Sequence, residues 1–206
     1  MKKDTQHLEQ LAEIRDIMNK STRFLSLSGL SGIVAGIAAL GGAWAANEYL
    51  NEKAIGFNMY GVGRMEMVQF FLLDAFIVLA VAIGFGSFFT IRKAKKNGQS
   101  ILNKMGMRML VNLCIPLITG GAFGIIVLYH GGYFLLPSIM LIFYGLALIN
   151  ASKYTLEDIR YLGYCEIALG LASAFFIGYG LLFWAIGFGV LHIVYGAIMY
   201  FKYDKA

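Results

Sequence analysis

Residues 67–91 read MVQFFLLDAFIVLAVAIGFGSFFTI, and Arg92-Lys93-Ala94-Lys95-Lys96 follow at once. One charged side chain, Asp74, interrupts these 25 residues, and a bilayer core about 30 Å thick is crossed by a helix of about 20 apolar residues. The basic cluster behind the run is the flank expected of a helix that stops at a membrane surface. Arg92-Lys93-Ala94-Lys95-Lys96 therefore reads as a stop signal in contact with anionic lipid.

Working outward, comparable runs recur along the chain. They predict an all-α, polytopic membrane bundle of six transmembrane helices at about 24–46, 67–91, 107–129, 133–150, 161–179 and 181–201. Residues 24–206 then form a single six-helix transmembrane domain. The last two spans are split at Gly178-Tyr179-Gly180, because a continuous helix would be about twice the bilayer and paired glycines permit a tight reversal. Composition agrees: of 206 residues 59% are hydrophobic and only 14% charged, against about 25% charged in soluble domains. Too little polar surface remains to cover a water-soluble globule, and disulfide, collagen and disordered classes fail on the same figures.

Orientation follows from the basic residues. Of 17 lysines and arginines, all except Lys53 and Arg64 fall on one side, which predicts cytoplasmic N- and C-termini. Trp44, Tyr129, Tyr133 and Trp184 then lie near the outer boundary, and Tyr154, Tyr161, Tyr200 and Tyr203 near the inner one. The charge of +5 is a consequence of this topology. No basic groove or aromatic platform points to nucleic acid. The first run is too long, and its preceding segment too acidic, for a cleaved signal peptide.

Within residues 1–23, Leu8, Leu11, Ile14 and Met18 recur at helical spacing opposite Glu9, Glu13, Asp16 and Lys20. A short amphipathic helix on the cytoplasmic surface is expected, either an anchor for the first span or a docking site for a cytoplasmic partner. Small residues mark close helix contacts: Ser28, Gly32 and Gly36 on the first span, Gly120 and Gly124 on the third, Gly170 on the fifth, Gly189 and Gly196 on the sixth. Their neighbours are helices of this chain or a second copy in a homo-oligomer. Pro116, followed by Gly120-Gly121, predicts a kink in the third span. Thr155-Leu156-Glu157-Asp158 resembles a capping box opening the fifth helix.

Away from the span ends, three charge-bearing side chains fall inside the hydrocarbon: Asp74, Glu166 and His192. Such groups cost about 2.5–3.5 kcal/mol at mid-helix on insertion scales, so they are the first functional candidates. In an antiparallel hairpin turning at Tyr179, Glu166 and His192 are equidistant from the turn, which places them at one depth. At 1.5 Å per residue that depth is about 20 Å from the turn. Gly163, Glu166, Gly170 and Ser173 share one face, and Gly189, His192 and Gly196 another, so a direct or water-bridged Glu166–His192 contact is expected. Arg108 and Asn112, one turn apart at the inner end of the third span, compete for Glu166. Such a pair either carries or senses a proton, or serves as interhelical glue.

Catalytic chemistry has no support. Gly178-Tyr179-Gly180 lacks the residues of a potassium filter, and no serine stands in a nucleophile motif. Cys114 and Cys165 fall in separate spans without metal-ligand spacing, so neither a metal nor another cofactor is expected.

The segments Glu13-Ile14-Arg15-Asp16-Ile17-Met18 and Ser21-Thr22-Arg23-Phe24-Leu25-Ser26-Leu27-Ser28-Gly29-Leu30-Ser31-Gly32, and the closing Gly187-Phe188-Gly189-Val190-Leu191-His192-Ile193-Val194-Tyr195-Gly196, resemble a group of small uncharacterised bacterial multi-pass membrane proteins. The resemblance implies a bacterial inner membrane and no particular activity. The residues themselves leave two functions. One is a structural or regulatory membrane subunit acting through partners or self-association; the alternative is a small proton- or ion-coupled transporter or channel using Glu166 and His192.

Overall fold

A computed structural model describes residues 24–54, 62–98 and 104–205. The predicted amphipathic helix within residues 1–23 lies outside the described residues. The chain is all-helical, with no strand among the described residues. Its helices are α1 (Gly29–Ala54), α2 (Val62–Lys96), α3 (Lys104–Tyr129), α4 (Leu136–Ala151), α5 (Asp158–Phe175) and α6 (Gly180–Asp204). Short 3-10 turns, Tyr133–Leu135 and Ser152–Tyr154, flank α4.

Five of the six helices are long and apolar enough to cross a membrane. The exception is α5, whose 18 residues include Asp158, Arg160 and Glu166. Helix α2 carries large apolar side chains outward around most of its girth, among them Leu72, Phe76, Ile77, Leu79, Ile83 and Phe88. An outward apolar surface of this extent fits a lipid solvent.

The element edges depart from the sequence reading: α1 runs on to Ala54, α2 covers Val62–Lys96, and three further departures have an identifiable cause. Residues 24–28 are not helical. The backbone N–H of Phe24 donates to the Tyr154 carbonyl at 2.8 Å, and Thr155 Oγ1 donates to the Phe24 carbonyl at 2.5 Å. These partners replace helical ones, and Phe24, fully buried, packs with Ala94, Met109 and Ala151. The same bond corrects the capping box: Thr155 reaches across to residue 24, and α5 starts at Asp158 without a side-chain cap. At its other end α5 stops at Phe175, four residues early, because Gly178 turns the chain at φ +107°, a conformation that suits glycine.

Pro116 sits inside α3 without ending it. Lacking an N–H, it leaves the carbonyl of Asn112, four residues back, without its helical donor. Asn150 of α4 supplies one, its amide donating to that carbonyl at 3.0 Å. Asn150→Leu is therefore expected to destabilise the protein by about 1 kcal/mol. In a Pro116→Ala background, where the N–H returns, the same change is expected to be near neutral. Thermal melts of the four proteins in detergent form the double-mutant cycle, and equal costs in both backgrounds refute the account.

The glycine faces are filled within the chain. Gly32 and Gly36 of α1 lie against His192, Gly196, Gly189 and Ile193 of α6. Gly120 and Gly124 seat Phe143, Leu136 and Ile139 of α4 on α3, and Gly170 lies against Ser138 and Ile142. These faces are not free for a second copy. Ser28 differs from its expected role: its hydroxyl donates to Asp204 at 3.0 Å at the start of α1.

Helix α1 packs along α2 and α6, and α4 along α3 and α5. One end of the bundle gathers residues 24–28, the end of α2, the loop after α4 and the end of α6. This is the basic end. The opposite end carries the turns at Gly131 and Gly178.

Candidate functional site

The sixth helix is irregular where the candidate residues meet. Ala185–Leu191 is π-helical, a widened winding that recurs at functional sites. Within it the Gly187 carbonyl lies 2.9 Å from His192 Nδ1. A carbonyl only accepts, so Nδ1 carries the hydrogen; in the neutral ring Nε2 then accepts from the hydroxyl of Tyr144, 2.7 Å away on α4. Phe188 stacks on His192 at 5.9 Å between ring centroids, and Trp184 lies 5.3 Å from Phe188. The imidazole is thereby fixed in tautomer and plane.

Glu166 of α5 is wholly buried beside it. Its Oε1 lies 3.5 Å from His192 Nδ1. That N–H is committed to Gly187, and both carboxyl oxygens of Glu166 lack a hydrogen-bond partner among the described residues. A Cβ on Gly187 would stand 2.5 Å from Glu166 Oε2, so a larger residue there would press on the carboxyl. An ionised carboxylate in this setting carries its desolvation cost with no compensating hydrogen bond.

The remaining candidates are dispersed. Arg108 is exposed, and the Asn112 amide donates to the Arg108 carbonyl at 2.8 Å within α3. Neither hydrogen-bonds Glu166, which overturns their expected competition for it. Asp74 is half-buried in the α1–α2 interface, where its carboxyl oxygens lie 3.1 and 3.2 Å from a Cβ position on Gly42. Two polar contacts were missed in the sequence, although Ser173 was placed on the Glu166 face. Tyr144 carried a signal, a phenol in mid-span that needs a partner in hydrocarbon. Ser138 and Ser173, buried and 3.0 Å apart between α4 and α5, lie about two turns from Glu166 toward the turn end.

Charge collects at the basic end. Asp204 accepts from the Gly29 N–H at 2.9 Å, from Ser28 and from Lys93, which also donates to the Leu27 carbonyl at 2.8 Å. A residue at the end of α6 thus caps the start of α1. Alongside, Lys202 donates to both oxygens of Asp158 at 3.0 and 2.9 Å, and Tyr203 donates to Oδ2. Partial burial pushes the Asp158 pKa up, but the hydrogen bonds from Tyr203 and Lys202 outweigh it and hold the net value below the ordinary one. The link is an ion pair at neutral pH.

Comparison with protein-family models, curated proteins and solved structures returned no match for this chain.

Proposed function

We propose that this chain is a six-span protein of the bacterial inner membrane, with both termini cytoplasmic, that moves protons through protonation of Glu166. The observation that carries the reading is the wholly buried Glu166 carboxyl without a hydrogen-bond partner, set against an oriented His192–Tyr144 pair. Interhelical glue is hydrogen-bonded; this carboxyl has no hydrogen-bond partner among the described residues. A metal cation is less suited than a proton. Hard cations take several oxygen ligands, and the Gly187 carbonyl beside the carboxyl is already engaged by His192.

The sixth span is α5, whose 18 residues rise about 27 Å. Asp158 and Arg160 sit at its first turn, where a headgroup region solvates them. The asymmetry of lysine and arginine supports the orientation, and the resemblance of both ends of the sequence supports the location.

Proteoliposomes under an imposed potential test the reading. The wild type is expected to acidify or alkalinise the lumen above empty liposomes, Glu166→Gln to reduce the rate to background, and His192→Ala to reduce it in part. Wild-type flux at background refutes proton movement. It favours the second reading, a structural or regulatory subunit, which the outward apolar girth of α2 supports as a surface for another membrane helix.

A further inference from the structure

Two helix pairs in the bundle share one packing register. A Cβ on Gly145 of α4 would meet the Gly163 carbonyl, Ile167 Cγ1 and the Ile167 nitrogen of α5 at 2.6, 2.7 and 3.0 Å. A Cβ on Gly36 of α1 would meet the Gly189 carbonyl, Ile193 Cγ1 and the Ile193 nitrogen of α6 at the same three distances. The match continues along both interfaces. Gly170 lies on the Ile142 nitrogen and Ser138 carbonyl, as Gly196 lies on the Ile33 nitrogen and Gly29 carbonyl. Gly163 meets Ile149 where Gly189 meets Leu40. Each step is the same distance along each helix, so α4 corresponds to α1 and α5 to α6.

Corresponding helices run in opposite directions. Helix α4 descends toward the basic end while α1 leaves it, and α5 leaves it while α6 returns. The relation is therefore an inverted pseudo-two-fold whose axis lies across the helices. Triplet α2–α1–α6 faces triplet α3–α4–α5. Under this correspondence Glu166 is the equivalent of His192, and these two side chains lie 3.5 Å apart. The axis passes between them, which puts an unpartnered buried carboxyl at the centre of the relation.

Symmetry is broken at the two ends by chemistry. At the basic end Asp158 of one triplet is bound by Lys202 and Tyr203 of the other. The equivalents of Asp158 and Lys202 at the turn end are Trp184 and Phe176, and Phe176 stacks on Phe183 at 6.4 Å. The basic end is closed by this charged link beside the buried Phe24, which bonds Tyr154 and Thr155 across the triplets, and the other end by aromatic rings.

We infer that the two triplets rock against each other about the Glu166–His192 contact, with Asp158, Lys202 and Tyr203 as the latch that admits water to Glu166 from the basic end. The inference rests on the proton-transport reading for its purpose, but the motion is measured separately. Inverted halves packed through near-identical interfaces have two tilts of similar energy, and a site on their shared axis is exposed to opposite sides in turn. The latch suits reversible opening, because the Lys202 side chain is 53% exposed and such links are weak and screened by salt.

Leu162 is the reporter position. It is buried on α5, one turn from Glu166 on the same face and one turn from Asp158. With Cys114→Ser and Cys165→Ser as background, Leu162→Cys is labelled by a membrane-impermeant maleimide applied to the basic end in sealed, oriented vesicles. Asp158→Asn is expected to raise the labelling rate several-fold, and the exchanged pair Asp158→Lys with Lys202→Asp to return it toward the starting rate. A rate indifferent to Asp158→Asn, or one that stays high in the exchanged pair, overturns the latch. Labelling needs no flux, so the two readings fail separately. Latch-controlled labelling with background flux removes proton transport and keeps the rocking; Glu166-dependent flux with latch-independent labelling does the reverse.

Discussion

Gly196→Leu is expected to leave little protein in the folded bundle, with most of it aggregating on mild heating in detergent. A Cβ at this position would lie 2.6 Å from the Ile33 nitrogen, 2.7 Å from the Gly29 carbonyl and 3.0 Å from the carbonyl carbon of Gly32. All three are backbone atoms of α1, so no rotamer change makes room and the helices must separate. Overpacking typically costs about 1–3 kcal/mol where side chains can yield, and a backbone-to-backbone contact belongs at or above the upper figure. Separation also tears Gly32 and Gly36 from their seats on α6 and disturbs His192, whose carbonyl lies 3.2 Å from a Cβ position on Gly32. Gly41→Leu and Gly121→Leu are the controls, since nothing lies within 4 Å of a Cβ at either. Size-exclusion profiles before and after heating read the effect. Equal behaviour of Gly196→Leu and the controls defeats the α1–α6 packing described here.

The second large effect is at Asp204. Its carboxylate holds the first N–H of α1, the Ser28 hydroxyl and the Lys93 ammonium together, with side chains of Lys93 and Asp204 only 13% and 10% exposed. Asp204→Ala leaves α1 uncapped and a nearly buried ammonium without its anion. Removing one partner of a buried pair costs about 3–5 kcal/mol, and the position at a bundle end argues for about 3. Lys93→Met combined with Asp204→Ala is expected to recover part of the loss, because no charge is then stranded. Thermal midpoints of the two single variants and the double variant decide the matter. Strictly additive losses mean that the two side chains act independently.

Much of the helical architecture was legible because glycines or charges punctuate long apolar runs. The reversal at Gly178 and the equal depth of Glu166 and His192 follow from hairpin geometry alone. Residues 24–28 misled for a physical reason: their apolar character reads as the start of a span, yet their backbone partners, Tyr154 and Thr155, are remote in sequence. Asp204 as the cap of α1 was hidden in the same way. At the site, Glu166 and His192 stand out as ionisable groups in a greasy run, whereas Tyr144 shows only a phenol that needs a partner and does not say which. Its role depends on the rotation of α4 against α6, and periodicity within one helix carries no information about that. The widened winding at Ala185–Leu191 has no proline or polar residue to announce it.

The Asn112–Asn150 hydrogen bond bears on how this chain is made. Until α4 arrives, α3 carries a carbonyl that Pro116 has deprived of its donor, so in hydrocarbon it is an incomplete helix. Only His130, Gly131 and Gly132 separate the end of α3 from the turn that opens α4. In a bilayer the two would therefore enter most favourably as one hairpin, with the asparagine of the later helix completing the backbone of the earlier one.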